Sequence, residues 1–361
     1  MVKEVVIIGG SFAGLKAAKH ILAKGDSEIS VTVVSKSTHA FYTVAAPRLL
    51  LEPSKLDKAV AKVEETLKKN NKNSHVKFIH GSVESLNLKD RSIDVNSNGQ
   101  TQLLTYDVLV IASGTRYATP TFKLLGDYSL TIESIEKVNK ELKAATKIAV
   151  IGGGPTGVET AGEIGYEYGK TKTITLYTGS KGPLSYLGDH RSKQAELKLQ
   201  KLGVKVANSV RPHVKEGKVL TFEDGTSEEY DVVIEANGLQ PNSDFLPADV
   251  LDESGFVLTN DYLQLKDFPE VVAGGDIVSG TASDLVTFNY VQWGTLLKTL
   301  DYLFDKSQDR RKPMKPIKTT QFVPISREGG IGILFGCGVP NFLVRMLKAK
   351  DFMLSKAQEN F

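Results

Sequence analysis

The sequence predicts an α/β fold with two parallel sheets, because one pattern occurs twice along the chain. VVIIGGSFAGLKAA (5–18) is an apolar, β-branched run followed by a glycine turn and an alanine-rich helical stretch, and KIAVIGGGPTGVETAGEI (147–164) repeats that plan. The two copies lie roughly 140 residues apart, which is the length of one domain. A second matched pair, YDVLVIASGT (106–115) and YDVVIEANG (230–238), follows the two copies. We therefore expect two domains of common design.

The two glycine turns indicate nucleotide binding. In a strand–turn–helix unit with the pattern G-x-G-x-x-G, a pyrophosphate approaches the glycine backbone and is held by the N-terminus of the helix. The second copy matches this pattern throughout, whereas the first has Ser11 at the middle position, where a hydroxyl can still hydrogen-bond a phosphate oxygen. The predicted binding residues are Gly9, Gly10, Ser11, Phe12, Ala13 and Gly14 in the first turn, Ala112, Ser113 and Gly114 after the following strand, and Gly152, Gly154 and Gly157 in the second turn.

The composition excludes several classes of function. The chain has 361 residues, of which 41% are hydrophobic and 24% charged, and its formal net charge is +3. This small excess argues against nucleic acid as a partner, because nucleic-acid-binding proteins concentrate positive charge on one face. The single cysteine, Cys337, rules out a disulfide framework, a C-x-x-C redox pair and a cysteine-rich metal site. No metal site is predicted, and Cys337 is expected to be a small, partly buried residue.

The hydrophobic pattern also bears on location. No stretch has the roughly 18–20 apolar residues that span a bilayer, and no signal peptide precedes the first strand. These observations favour a cytoplasmic protein.

Between the repeats, the pattern predicts further elements. The expected helices are 55–71, 134–145, 191–203 and 285–300, and the expected strands are 75–88 and 91–96. A last short signature, PEVVAGGDIVSG (269–280), is a strand that delivers Asp276 just beyond two glycines.

Taken in order, these motifs resemble the two-dinucleotide-binding-domain flavoproteins, a superfamily that includes glutathione reductase and the type II NADH dehydrogenases. The resemblance implies two Rossmann-like domains, with an NAD(P)H-binding domain inserted into an FAD-binding domain, and a short C-terminal α+β region. It implies that Asp276 hydrogen-bonds the ribitol of FAD, because VVAGGDIV matches the returning strand of that superfamily. The implied boundaries are 1–117 and 238–305 for the FAD domain, 118–237 for the NAD(P)H domain and 306–361 for the C-terminal region.

A closer similarity is to the branch of apoptosis-inducing factor and the ferroptosis suppressor proteins. It is carried by HAFYTVAAPR (39–48), GGGPTGVETAGEI (152–164) and the C-terminal block 323–356. This resemblance implies that Arg48 and the backbone of Val83 contact FAD. It also places Glu159 near the flavin and nicotinamide rings, with Lys348 approaching from the C-terminal side. The same likeness points to a position on the surface of mitochondria or lipid droplets.

Two positions depart from the expected nucleotide pattern. The acidic residue that grips the ribose hydroxyls is replaced by Ser35, followed by Lys36, after the second strand of the first domain. The equivalent position of the second domain holds Thr178, and Lys181 follows closely. Without an acid to repel a 2′-phosphate, either NADH or NADPH is a possible reductant.

The sequence therefore predicts an FAD-dependent NAD(P)H oxidoreductase with a quinone as the leading acceptor. The alternatives are an NAD(P)H oxidase or diaphorase with oxygen or another acceptor, and a redox-sensing regulatory protein. Glu159 and Lys348 are the predicted catalytic residues, as an ion pair that relays a proton, unless Lys348 is only a surface lysine.

The apolar residues near the C-terminus leave a further question open. Phe342, Leu343, Met346 and Leu347 follow helical spacing beside basic residues, and they either pack on the flavin domain or lie on a membrane surface. We expect Tyr290 and Trp293 to be core aromatics. The oligomeric state is open.

Overall fold

The structure is a computed structural model, and it describes residues 2–69, 75–307 and 309–361. The strands in these ranges are β1 (Lys3–Ile8), β2 (Ile29–Ser35), β3 (His39–Phe41), β4 (Val60–Lys62), β5 (Val76–His80), β6 (Ser82–Asn87), β7 (Ser92–Ser97), β8 (Gln100–Thr105), β9 (Val108–Ile111), β10 (Thr115–Arg116), β11 (Lys147–Ile151), β12 (Thr173–Tyr177), β13 (Val204–Ala207), β14 (His213–Lys215), β15 (Val219–Thr221), β16 (Ser227–Glu229), β17 (Val232–Glu235), β18 (Gln240–Pro241), β19 (Val271–Ala273), β20 (Gln321–Pro324), β21 (Gly330–Leu334) and β22 (Cys337–Gly338).

The α-helices in these ranges are α1 (Phe12–Ala23), α2 (Ala46–Leu49), α3 (Val63–Lys69), α4 (Tyr128–Ala144), α5 (Pro155–Tyr168), α6 (Asp189–Lys201), α7 (Leu285–Thr287), α8 (Trp293–Phe304) and α9 (Asn341–Val344). Two π-helical turns, Phe288–Gln292 and Arg345–Ala349, continue α7 and α9 respectively. Short 3-10 segments include Pro53–Ala59 and Leu354–Asn360.

The first sheet is parallel throughout and has the order β19-β9-β1-β2-β5. Its central strand β1 pairs with β2 and β9, and the strands are almost continuously apolar because helices and loops cover both faces. Helix α1 follows β1 directly and buries Leu15, Ala18 and Ile21. The glycine turn thus lies at the carboxyl end of the central strand.

The second sheet repeats this arrangement with the order β13-β12-β11-β17, again all parallel. Here β11 takes the place of β1, α5 takes the place of α1, and β17 takes the place of β9. The predicted α/β fold with two Rossmann-like domains is confirmed.

The chain passes between the two sheets through a short antiparallel pair. Strand β10 follows β9 and pairs with β18, with Thr115 opposite Pro241, and Asn242 N donates a hydrogen bond to Gly114 O at 2.9 Å. After β18 the chain returns to the first sheet as β19. The second sheet is therefore inserted between two strands of the first, although the domain boundaries themselves remain a prediction.

The C-terminal region contains the antiparallel sheet β20-β21-β22, α9 and the π-helical turn Arg345–Ala349. It packs closely on α5, because Gly162 lacks a side chain: a Cβ there would lie 3.0 Å from Ile325 Cα. This contact places the end of the chain against the helix that follows the second glycine turn.

The expected helix over 55–71 is wrong in its first half. Residues Pro53–Ala59 form a 3-10 segment, Val60–Lys62 forms β4, and only Val63–Lys69 is α-helical. Strand β4 pairs with β3, so tertiary pairing of β-branched Val60 overrides the helical spacing of the apolar residues. Residues 70–71 of the expected helix lie outside the described residues.

Two smaller expectations also need correction. Cys337 is exposed, because it lies in the short edge strand β22 rather than in a packed layer. Tyr290 is 75% exposed and is not a core aromatic, whereas Trp293 is half-buried and packs against the core. In the described part of the chain, none of the helices has the length and apolar character needed to cross a membrane.

Candidate nucleotide and redox site

A large cavity of about 1510 Å³ lies at the carboxyl ends of the strands of the first sheet. Ligands of open parallel sheets bind at this edge. The cavity is lined by the turn after β1, by the ends of β2 and β9, by Asp276 after β19, and by residues from α5 and the C-terminal region. It therefore joins all three parts of the chain.

The first glycine turn is shaped so that no side chain stands between the strand and the helix. Gly9 has φ +116°, and a Cβ there would lie 2.2 Å from Ala112 O; at Gly14 a Cβ would lie 1.8 Å from Gly9 O. Ser11 is the N-cap residue of α1 with an extended backbone, and its side chain makes no capping bond. The N-terminus of α1 is thus left without a side-chain cap at the cavity, as a phosphate site requires.

A buried hydroxyl in the cavity wall also lacks a partner. Ser113 Oγ is buried and has no hydrogen-bond partner within the described residues. Such an atom normally carries an energetic cost unless a ligand or water satisfies it. The uncapped helix and the unpartnered hydroxyl together fit a polar ligand such as the pyrophosphate and ribityl chain of FAD.

The second glycine turn has the same construction. Gly152 has φ +135°, and a Cβ there would lie 2.6 Å from Ala236 O; at Gly157 a Cβ would lie 2.0 Å from Gly152 O. Gly154 is the N-cap residue of α5 and faces open space. These glycines do not line the large cavity, but Pro155, Thr156 and Glu159 of the same helix do, so α5 links the second turn to the cavity.

Asp276 is part of a small polar group in the cavity. Its carboxylate accepts hydrogen bonds from Lys123 Nζ at 2.5 Å and from Thr115 Oγ1 at 3.3 Å. Lys123 lies 153 positions before Asp276 in the sequence, and no sequence motif marks it. Nearby, burial raises the pKa of Asp284, and the negative charge of Asp276 adds to that effect.

Glu159 and Lys348 meet in the wall of the same cavity. Lys348 Nζ donates to Glu159 Oε1 at 2.7 Å and to Phe322 O at 3.2 Å, and both side chains line the cavity. Glu159 is only 5% exposed. Burial raises the pKa of the Glu159 carboxyl, while the Lys348 ammonium opposes that rise. Lys348 is therefore not a free surface lysine.

Arg48 lies outside the cavity and is engaged elsewhere. Its guanidinium donates to both carboxylate oxygens of Glu163 and to the backbone oxygens of Ala349 and Lys350. The expected contact of Arg48 with FAD stays a prediction, although four hydrogen bonds already engage its guanidinium in this structure. Glu163 was missed, although its spacing of four residues from Glu159 on a helix marks it as a neighbour on the same face.

The remaining predicted residues divide between two places. Ser35, Lys36 and Val83 line the cavity at the end of β2, beside Glu84. Lys181 is exposed and lies outside the cavity, in the loop that follows β12. In this loop Arg211 Nε donates to Gly179 O at 2.8 Å, an interaction that sequence inspection missed because Arg211 follows a different strand.

The mouth of the cavity has an apolar rim, formed by Tyr290, Leu334, Phe335 and Leu347. Phe342 and Met346 extend this rim along α9 and the π-helical turn, and they are 65% and 64% exposed. Phe342, Met346 and Leu347 are therefore exposed and do not pack on the flavin domain, which was one of the two expected arrangements, whereas Leu343 is half-buried.

Comparisons with known proteins agree with this architecture. Oxidoreductase ptaL of Pestalotiopsis fici is 30% identical over 368 residues, which cover 97% of this chain and 96% of that protein. Ferroptosis suppressor protein 1 of Xenopus tropicalis is 28% identical over 371 residues, covering 98% and 94% of the two chains. The expected resemblance to the ferroptosis suppressor branch is confirmed.

Among solved structures, the sulfide:quinone oxidoreductase from the hyperthermophilic bacterium Aquifex aeolicus has a similar fold. The TM-score is 0.78 at 15% identity, and the match covers 99% of this chain and 92% of that one. At this identity the likeness concerns the fold alone. A model of the pyridine nucleotide-disulphide oxidoreductases matches residues 3–293 of the chain. The chain therefore belongs to the pyridine nucleotide-disulphide oxidoreductase family, with FAD and a nicotinamide nucleotide as its cofactors.

Proposed function

We propose that the protein oxidises NAD(P)H and passes the electrons to a quinone. The observation that carries this proposal is the cavity itself, which joins the first glycine turn, the Glu159–Lys348 pair and an apolar rim open to the surface. One compartment thus offers a phosphate site, a proton-carrying pair and an entrance suited to an apolar ring. The overall reaction balances as NAD(P)H, one proton and a quinone giving NAD(P)⁺ and a hydroquinone.

Bound FAD supplies the redox chemistry by accepting a hydride and releasing electrons. The residues that would hold its pyrophosphate are those of the first turn, through the N–H groups at the start of α1 and the hydroxyls of Ser11 and Ser113. Asp276 would accept hydrogen bonds from the ribityl hydroxyls. The adenosine end would lie against Ser35, Lys36 and the backbone of Val83.

The nicotinamide nucleotide would use the second turn. Gly152, Gly154 and Gly157 leave the N-terminus of α5 open to its pyrophosphate. Because α5 also carries Glu159 into the cavity, one helix would connect the bound nucleotide to the cavity wall.

Glu159 and Lys348 would supply the proton that the reaction needs. Lys348 Nζ holds a proton at the cavity wall, and Glu159 Oε1 fixes the direction of that N–H bond. A quinone oxygen that gains electrons becomes basic and takes the proton from Nζ. The lysine then regains a proton from solvent through its partly exposed side.

The cysteine content of the chain and the exposed apolar side chains at the cavity mouth bear on the electron acceptor. With Cys337 as its one cysteine, the chain has no pair for a redox-active disulfide, so disulfide reduction of the usual kind is excluded. The exposed side chains of Tyr290, Phe335 and Leu347 at the cavity mouth instead favour an apolar, planar acceptor.

Replacing Lys348 tests this assignment. In Lys348→Met we expect turnover with a soluble ubiquinone analogue to fall about a hundredfold to ten-thousandfold, because general acid catalysis contributes roughly 10²–10⁴-fold. Lys350→Met, whose exposed side chain lies outside the cavity, is the matched control and should keep wild-type turnover. Equal turnover in both variants would remove the proposed role of Lys348.

The rate of NAD(P)H oxidation with and without quinone distinguishes two other functions from this one. An NAD(P)H oxidase would consume NAD(P)H in air at the same rate with and without the quinone. A redox sensor would react once with NAD(P)H and then stay reduced for a long time in the presence of quinone. Either result would replace the proposal.

We also propose that the rim rests on a membrane surface, where a lipid-soluble quinone resides. Phe342 and Met346 project from a segment that also exposes Arg345, and basic Lys318 lies near β22. Such a surface is compatible with a peripheral location on mitochondria or lipid droplets. Flotation with phosphatidylcholine vesicles containing phosphatidylglycerol should retain the protein, and Phe342→Ser with Met346→Ser should release it; equal binding by both proteins would refute this surface.

A further inference from the structure

We infer that Arg48 is a positioning residue for Lys348. Its guanidinium fixes the end of the π-helical turn that presents Lys348 to Glu159, and it does so by tying that turn to α5. The catalytic importance of this positioning rests on the proposed function. The positioning itself can be tested without any electron acceptor, through the chemical reactivity of Lys348.

The turn that carries Lys348 is irregular. Residues Arg345–Ala349 are π-helical, and Lys350 N bonds to Arg345 O at 3.0 Å, five residues back. Single π-helical turns are uncommon and occur often at functional sites. Beyond the turn, Phe352 and Met353 have φ of 53° and 57°, a left-handed conformation that regular helix geometry does not support. This segment therefore needs an external anchor to keep one conformation.

Arg48 provides that anchor. Its Nη2 donates to Ala349 O at 3.0 Å, and its Nη1 donates to Lys350 O at 3.1 Å. These are the two carbonyl groups directly after Lys348, and they lie where the helical hydrogen bonds end. One rigid, planar guanidinium thus fixes two successive peptide groups.

The other side of the same guanidinium is held by α5. Nε and Nη2 donate to the two carboxylate oxygens of Glu163 at 2.5 and 2.9 Å. The side chains of Arg48 and Glu163 are 3% and 1% exposed, so this bidentate pair is shielded from water. A buried, bidentate pair has little freedom to shift.

Helix α5 carries both carboxylates of the arrangement. Glu159 and Glu163 are four residues apart and lie on one face of the helix. The first binds Lys348 directly, and the second binds Lys348's own turn through Arg48. The ring of Phe352, fully buried, lies 5.1 Å from Arg48 Cζ and 5.8 Å from Lys348 Nζ and fills the space between the cations. Lys348 is therefore fixed relative to Glu159 at both its tip and its backbone.

A single Arg48 truncation would leave Glu163 buried without its main partner. Burial raises the pKa of Glu163, and Arg48 is the largest influence that opposes the rise. Removing one member of a buried pair is strongly destabilising, whereas replacing both by apolar residues of similar volume is often tolerated. The informative variant is therefore Arg48→Met with Glu163→Met.

The first readout is the chemical reactivity of Lys348, measured in the flavin-loaded protein by acetic anhydride labelling and peptide mass spectrometry. In the double variant we expect Lys348 to be acetylated several-fold faster than in wild type, because its turn is no longer fixed. Lys350 and other exposed lysines should label at wild-type rates. Arg327→Met is the matched control, because Arg327 pairs with Glu52 and approaches α5 at Glu163 and Glu167 without touching Ala349 or Lys350. An unchanged Lys348 labelling rate in the folded double variant would overturn the inference.

The second readout is the pH dependence of turnover. In the double variant we expect kcat to fall about tenfold to hundredfold, since small misplacement of a reacting group has that effect. Its pH–rate profile should match that of Lys348→Met, while Arg327→Met keeps the wild-type profile. A wild-type profile in the double variant would contradict a positioning role. If Lys348→Met itself turns over like wild type, the proposed catalytic role of Lys348 fails, and the labelling rate still tests whether Arg48 fixes the turn.

Arg48→Lys separates geometry from charge and covers the case in which the double variant does not fold. A lysine keeps a positive charge beside Glu163, but one ammonium cannot bond Glu163 and both carbonyl oxygens in the same geometry. We expect this variant to bind flavin and to show faster labelling of Lys348 than wild type. Wild-type labelling and a wild-type pH profile in Arg48→Lys would show that charge alone suffices and would overturn the inference.

Discussion

At the scale of single residues, each glycine turn depends on atoms that approach each other too closely for a side chain to lie between them. The contacts between Gly14 and Gly9 and between Gly157 and Gly152 are of this kind, so both turns keep these glycines. The middle position of the pattern has no such contact at Gly154, and it is Ser11 in the first turn. The middle position faces the ligand side and tolerates a hydroxyl. The sequence indicated this difference, but its cause lies in three-dimensional contacts.

Gly14→Ala should therefore lose flavin, whereas Ser11→Gly should keep it. A Cβ at residue 14 would lie 1.8 Å from Gly9 O, so α1 must move away from the turn. At residue 11 the glycine restores the usual pattern. The flavin absorbance of the purified proteins gives the ratio of FAD to chain. Stoichiometric flavin in Gly14→Ala would contradict this reasoning, and loss of flavin in Ser11→Gly would show that the hydroxyl is required.

Coenzyme preference is a second question at this scale. After β12 there is no acid at Thr178, while Arg211 is anchored on Gly179 O and Lys181 is exposed. Neither cation forms an ion pair with another described residue. A cationic pair at this position suits a 2′-phosphate, which predicts a preference for NADPH.

Arg211→Leu should lower kcat/KM for NADPH about tenfold to hundredfold, because a charge-assisted hydrogen bond contributes ~1.5–3 kcal/mol. The value for NADH should change less than about threefold, because NADH carries no 2′-phosphate. Steady-state kinetics with both nucleotides measures this, with Lys201→Leu on α6 as the control. Equal losses for both nucleotides would assign Arg211 to structure instead of recognition.

At the scale of elements, the repeated Tyr-Asp start of the second matched pair has a structural cause. Asp107 Oδ2 accepts from Glu4 N, and Asp231 Oδ2 accepts from Thr146 N and Lys147 N. In both sheets the aspartate before one strand thus anchors the start of the neighbouring central strand. The motif that predicted two domains of common design is therefore a strand-pairing device, independent of the nucleotide sites.

The Asp231 contact predicts a pH dependence of stability. The N–H groups of Thr146 and Lys147 lower the pKa of the Asp231 carboxyl below its usual value of 3.8. Because the folded-state pKa is lowered, the stabilisation is present above 3.8 and is lost as the pH falls through the folded-state pKa. Asp231→Asn should therefore be less stable than wild type at neutral pH, and the difference should shrink in acid. Thermal unfolding from pH 7 to pH 3 measures this, and a constant difference would contradict it.

Local pattern was least informative where an element pairs across the chain. The strand β4 and the 3-10 segment before it replaced the first half of an expected helix, because β4 pairs with β3, which lies about twenty residues earlier. Likewise, the exposed C-terminal residues Phe342 and Met346 have a helical spacing that is equally compatible with packing in the core. The spacing of apolar residues shows which side of an element is apolar, but it does not show whether that side packs in the core or is exposed.

At the scale of the whole molecule, the two strand–turn–helix units and the returning strand could be predicted from sequence because each is a local pattern. The Glu159–Lys348 pair could be anticipated only through family resemblance, since its members are 189 positions apart. The protein partners of Arg48, which are Glu163 and the C-terminal turn, could not be predicted, because they depend on how the inserted domain and the C-terminal region meet. Contacts between distant parts of the chain are the ones that a single sequence does not reveal.

The large cavity predicts that the cofactor and the fold depend on each other. FAD would contact all three parts of the chain, so it should bind the folded state alone and raise its stability by mass action. We expect the unfolding temperature of flavin-free protein to rise with added FAD up to one equivalent and to rise further at higher FAD concentrations. Differential scanning calorimetry measures the shift, and an unfolding temperature that does not change with FAD concentration would contradict this prediction.

The most direct test of the central claim is anaerobic turnover of the flavin-loaded protein with NADPH or NADH and a soluble ubiquinone analogue. We predict sustained turnover in which one hydroquinone forms for each nucleotide oxidised, together with one proton taken from solvent. Nucleotide oxidation that stops after a single equivalent per flavin, despite excess quinone, would contradict it.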